Sequence, residues 1–135
     1  MTTFSFLKLY LLTAPVFFAI DLFWLGVVAK NVYFEKLGHL LAPKISWGPA
    51  LLFYLFFIAG LIIFVVQPAI EKQSFQRAIL LGAFFGFITY MTYELTNYSL
   101  LKDWPLSIVV IDIIWGMVLS ALVSAASFAI SKWVL

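Results

Sequence analysis

The sequence predicts an all-α integral membrane protein, a four-transmembrane-helix bundle with a short interfacial segment between helices 1 and 2. Three observations predict it. Of 135 residues, 65% are hydrophobic and only 10% are charged, where a soluble domain carries about 25% charged residues. The mean hydropathy is +1.12, too apolar for the surface to be covered with polar groups in water. Four runs reach the ~20 largely apolar residues that cross hydrocarbon, and short polar breaks separate them. A β-barrel would require in–out alternation, and the unbroken run Leu51–Ile58 does not alternate. Helices satisfy every backbone polar group inside lipid. The length suits one domain over residues 1–135.

The first span runs from Phe4 to Val28. Lys8 followed by an apolar run has the look of a secretory signal, but a signal core is ~7–15 residues and ends in a small-residue cleavage site. Here the run passes Val28 and no Ala-x-Ala closes it. Pro15 removes the backbone bond to Leu11, so a kink is expected. From Ala29 to Ser46 the connection is the longest. Tyr33, Leu37, Leu40 and Leu41 share one helical face, which suggests a short helix lying in the interface; a plain interfacial loop is the alternative. The second span covers Trp47–Val66 and ends at Gln67-Pro68, before a polar turn from Glu71 to Arg77. The third covers Arg77–Leu101. Lys102-Asp103-Trp104-Pro105 then leads into the fourth, Leu106–Ile130, with Pro105 suited to a first turn and Asp103 or Ser107 able to serve that N-terminus.

Several function classes are excluded by composition. Without cysteine there is no disulfide, thiolate metal site or cysteine nucleophile, and His39 is the single histidine, so no multi-histidine metal site exists in one chain. No Glu-x-x-His or His-x-x-x-His is present. No metal and no cofactor are expected. A net charge of +2 does not point to nucleic acid. Lys8, Lys72, Arg77 and Lys132 fall on the side of both termini, side A, and Lys30, Lys36, Lys44 and Lys102 on side B. The positive-inside rule barely separates four from four; the N-terminal amine and the compact Lys72/Arg77 turn favour side A in the cytoplasm.

Ala78, Gly82 and Gly86 on the third span, and Gly116, Ser120 and Ser124 on the fourth, recur at spacing four. Such stripes let membrane helices approach closely. They fit packing between helices 3 and 4, and they are also compatible with a homodimer. Trp47, Trp104 and Trp133 sit at span boundaries and read as belt residues.

The informative feature is acid inside the spans. Asp21 lies nine residues before Lys30, Glu94 eight before Lys102, and Asp112 seven after Pro105. At ~1.5 Å per residue each sits roughly 10–14 Å inward from side B. Tyr90, Tyr93, Glu94 and Asn97 fall within an arc of about 100° on one helix. Asp21-x-x-Trp24 and Asp112-x-x-Trp115 repeat one short pattern on antiparallel helices, each Trp about a turn from its Asp, so the two tryptophans should point in opposite directions along the membrane normal. A charged Asp at a helix centre costs ~2.5–3.5 kcal/mol, so such acids face the bundle or a wet cavity and are functional candidates. Desolvation and mutual repulsion disfavour ionisation, so at least one of the three is expected to hold a proton at neutral pH. The bland alternative is that the acids hydrogen-bond to Asn97, Tyr93 and carbonyls and fix helix register.

Tyr90-x-Thr92-Tyr93-Glu94-Leu95-Thr96-Asn97, then Asp103-Trp104-Pro105, then Asp112-x-x-Trp115-Gly116, with Asp21-x-x-Trp24-Leu25-Gly26 in the first span, resembles the signature of a bacterial family of membrane proteins catalogued as domain of unknown function 2177. Where members carry Tyr-Asp-Leu-Thr-Asn this chain has Glu94, which keeps the acid on a longer arm. The resemblance implies a four-span protein of the bacterial inner membrane and brings no catalytic assignment.

Three functions remain open. A binding or transport module would use Asp21, Glu94 and Asp112 for a proton, cation or amine, Tyr90, Tyr93 and Asn97 to orient a ligand, and Trp24 and Trp115 to pack on it, in a pocket open to side B between helices 1, 3 and 4. An acid–base enzyme, isomerase-like, would act on a lipid-like substrate. A structural or accessory subunit would have a closed polar cluster with no room for a ligand. Membrane lipids are the expected surroundings, with a small ligand or ion as partner.

Overall fold

The computed structural model describes all 135 residues, Met1–Leu135. Four helices are long and apolar enough to span a membrane: α1 (Thr3–Val28), α3 (Trp47–Glu71), α4 (Phe75–Leu100) and α5 (Leu106–Val134). A short helix, α2 (Lys30–Leu37), continues as a 3-10 turn over Gly38–Leu40. The protein is an all-α membrane bundle, and the connection between the first two spans opens as a short helix rather than as a plain loop.

The helix ends follow local chemistry. Ser74 caps α4, its hydroxyl accepting from the Arg77 amide at 3.1 Å. Gln73 before it takes φ 50°, the left-handed turn that reverses the chain. Asp103, at φ 61°, does the same between α4 and α5. Its side chain does not cap α5, nor does that of Ser107: the cap is Pro105, with no side-chain hydrogen bond. In that turn Asp103 contributes backbone conformation instead.

The end of the second span differs from expectation. The helix expected to stop at Gln67-Pro68 runs on to Glu71. A π-helical stretch over Ile62–Val66 precedes the proline, so Pro68 falls in the first turn of a fresh α-helical segment, where no N–H is needed. The end of α1 is also π-helical, over Trp24–Val28, with the Ala29 amide donating to the Trp24 carbonyl at 2.8 Å. That wide turn sits beside the intramembrane acids. α1 continues as helix through Pro15.

α4 and α5 form the tightest pair. Gly82, Gly86, Ser120 and Ser124 are buried where they meet, so the two small-residue stripes face each other within one chain. α1 packs along α5, tied by Thr13 to Ser127, hydroxyl to hydroxyl at 2.8 Å in the interior. At side A, Lys8 Nζ donates to the Val134 carbonyl at 3.0 Å, a cation on the negative end of α5. The core lies toward side A and the bundle middle, where Phe17 of α1, Ile58 to Ile62 of α3, and Leu119 and Val123 of α5 interlock. α3 meets α4 along Ile62–Glu71; over Trp47–Leu61 their backbones draw apart, and Phe57 bridges to Phe85 and Tyr90. The side-B half of the bundle is therefore less filled than the side-A half.

Candidate functional site

That unfilled half holds a cavity of about 1020 Å³, lined by 21 residues of which 14 are hydrophobic. All four spans contribute to its wall, and the segment Lys30–Ser46 folds back over it. Sequence reasoning placed the pocket between helices 1, 3 and 4 in chain order of spans; the second span, α3, joins them through Phe53, Tyr54 and Phe57. The face of α2 read as interfacial supplies Tyr33 and Leu37, with Leu41 beyond it, as a cover.

Each acid is held by a donor from another element. Asp21, 3% exposed, accepts from Trp115 Nε1 at 3.1 Å and from the Tyr54 hydroxyl at 2.9 Å. Asp112 accepts from the Tyr33 hydroxyl at 3.0 Å, and Tyr33 accepts in turn from Trp24 Nε1 at 3.2 Å. Glu94, 1% exposed, accepts from Trp104 Nε1 at 3.1 Å. Indole N–H and phenol O–H groups carry apolar bodies, so they bring donors into hydrocarbon at small desolvation cost. Burial first, and then the Asp112 charge, pushes the Tyr33 phenol well above its ordinary range, so Tyr33 stays a proton donor to Asp112 into alkaline solution.

The repeated Asp-x-x-Trp pattern has a geometric outcome that spacing did not reveal. On antiparallel helices, Trp115 reaches the level of Asp21, and Trp24 reaches that of Asp112 through Tyr33. The two indoles then stack, centroids 4.4 Å apart and planes within 6°. Their positions do run in opposite directions from their own aspartates. Because each Trp reaches the level of the other helix's Asp, those directions overlap in depth, and the rings meet instead of pointing apart.

Of the residues singled out from sequence, Asp21, Asp112, Tyr90, Tyr93 and Trp115 line the cavity. Glu94 stands behind the wall, its carboxyl neighbouring that of Asp112. Trp24 backs Trp115. Asn97 stays outside the lining, beside Tyr93. The three acids are not disposed to hold a metal ion among them. Trp104, read as a belt residue, is a correction: its ring lines the cavity, packs edge-on to Tyr93 at 6.3 Å and donates to Glu94. Trp133 is 89% exposed at the end of α5. Sequence reasoning missed Tyr54 and Tyr33 as partners. Tyr54 stands in an otherwise apolar run and Tyr33 on the apolar face of α2, and the need for as many buried donors as acids is the signal that could have found them.

Two ionised carboxyl groups offer acceptors only, so a buried neighbouring pair repels unless it holds a proton. An infrared spectrum at neutral pH should therefore show a protonated-carboxyl band that disappears in Glu94→Gln and in Asp112→Asn alike. A wild-type spectrum without that band would contradict the shared proton.

No curated protein and no solved structure matches the chain. One family comparison does, over residues 6–129, nearly the whole chain, and its span includes all three acids, both Asp-x-x-Trp patterns and the cavity wall. On that match the chain belongs to the family described as predicted membrane protein (DUF2177).

Proposed function

We propose that the protein binds a small amphiphilic ligand in the side-B half of the bundle, with Asp21 and Asp112 as its polar anchors. One observation carries this reading: a cavity of about 1020 Å³ with a largely apolar wall into which two carboxyl groups project. Ligand sites have this composition, an apolar enclosure with a few placed polar groups, and volumes of about 300–1,000 Å³. A purely structural cluster would need no room beside the acids. Each carboxylate oxygen of Asp21 accepts one hydrogen bond from the protein and keeps capacity for a second, which a bound ammonium would use.

Native mass spectrometry with lipidomics, on protein purified in mild detergent, tests this. Wild type should carry a small molecule that Asp21→Asn/Asp112→Asn loses while remaining folded. A folded wild type that retains nothing, and takes up nothing from added amphiphiles, would overturn it.

The acid–base enzyme reading has one observation in its favour. Asp112 faces the cavity and its partner Glu94 does not, so a proton held by the pair has one route to a bound molecule. Incubating the recovered ligand with protein in deuterated water separates the two readings. Deuterium entering carbon positions supports proton transfer, and a ligand recovered without it leaves binding alone.

A further inference from the structure

Lysines share the cavity with the acids. Of the four cations on side B, Lys30 and Lys44 line it, whereas Lys36 and Lys102 do not. Both lining lysines are exposed and stand at the ends of the covering segment, one just after α1 and the other just before α3. Asp21 lies seven residues inward from the end of α1 at Val28, and Lys30 opens α2 just beyond that end; roughly 10 Å of helix separates the carboxyl from the rim, and the long lysine side chain spans part of that separation. The enclosure therefore has a cationic rim and an anionic floor, joined by an apolar wall.

The wall is also thin on one side. Over Trp47–Leu61 the backbones of α3 and α4 part, and Phe53 and Tyr93, one from each helix, line the cavity and are both more than half exposed. A chain leaving the cavity between them would pass into lipid rather than water. Around the floor stand Tyr54, Tyr90 and Trp115, π-faces that attract a cation as well as covering its methylene groups.

We propose that the ligand is a zwitterionic lipid: its ammonium lies between Asp21 and Asp112, its phosphate at Lys30 and Lys44, and its acyl chains leave between α3 and α4. This rests on the cavity being a ligand site and adds the headgroup class. An anionic lipid would satisfy the rim and leave the acids unpaired. A simple amine would satisfy the acids and leave the rim unused. A zwitterion meets both, its ammonium at the deeper acids and its phosphate at the shallower lysines, with the chains turning back inward through the gap between Phe53 and Tyr93.

Full-length protein in mild detergent, titrated by native mass spectrometry with dioctanoyl phosphatidylethanolamine, dioctanoyl phosphatidylglycerol and octylamine, tests the assignment. The ethanolamine lipid should bind at least about tenfold more tightly than either of the others, the size expected for a charge-assisted hydrogen bond. Asp21→Asn should bring it down to the affinity of the glycerol lipid. Lys30→Gln/Lys44→Gln should weaken both phospholipids about tenfold and leave octylamine unchanged, an internal check that the variant is folded. Equal binding of the two phospholipids, or a lysine variant with no effect on either, would overturn the headgroup assignment. Octylamine binding that depends on Asp21 would then still uphold the amphiphile site, and failure of all three probes would remove both.

Discussion

Gly86→Leu should prevent the bundle from assembling, and even Gly86→Ala should destabilise it. A Cβ at Gly86 would meet the Gly116 carbonyl and come within 2.7 Å of the Ser120 hydroxyl, so backbone of α5 stands where the side chain must go. Backbone cannot rotate away, and the helices would have to separate along their tightest contact. Overpacking costs about 1–3 kcal/mol for small additions and more where nothing yields. Elsewhere in an exposed helix, Gly→Ala gains about 0.5–1 kcal/mol through lower backbone entropy. The sign therefore reports on packing. Gly26→Ala, whose Cβ meets nothing within 4 Å, is the matched control and should be neutral or slightly stabilising. Thermal melts in detergent, followed by helical circular dichroism, would compare the three. A Gly86→Ala melt at or above wild type would mean that α4 and α5 do not pack this closely.

That prediction rests on a feature the sequence carried openly. Gly82, Gly86, Ser120 and Ser124 are readable as small residues at spacing four, although spacing could not say whether the stripes meet each other or a second chain. The four spans were legible because hydropathy and length are local properties, each decided within one segment. The π-helical turns were not. A π turn shows no composition of its own, and only the helix running past Pro68 betrays the one at Ile62–Val66. The acids were legible as a shared depth because helix rise converts spacing into distance. Their partners were not, because a donor across the bundle has no sequence relation to its acceptor: Tyr54 is 33 residues from Asp21, and Trp115 is 94. The misreading of Trp104 has the same origin. A boundary tryptophan looks identical whether its N–H meets headgroups or Glu94, and the difference is made by how α4 turns into α5.

Asp21→Asn and Asp21→Ala should separate what Asp21 does for the fold from what it does for a ligand. Trp115 Nε1 can only donate, so an Asn at 21 must turn its carbonyl oxygen toward the indole. Its amide then faces the Tyr54 hydroxyl, which can accept as readily as it donates. Both contacts survive, and the burden of a charged group in hydrocarbon, ~2.5–3.5 kcal/mol, is relieved. Asn should therefore fold as stably as wild type or better. Ala removes both acceptors. The Trp115 indole N–H and the Tyr54 hydroxyl each lose their acceptor, and each orphaned buried donor costs about 1–3 kcal/mol. A gap of about 2–5 kcal/mol between the Asn and Ala variants is the expected result by chemical or thermal unfolding in detergent. If the two melt together, the paired donors do not hold Asp21. If they separate as expected and the Asn variant also loses its bound amphiphile, then the carboxylate is kept against the interest of stability. A register-fixing group would be served equally well by an amide. A charge retained where an uncharged isostere folds better is a charge the protein uses.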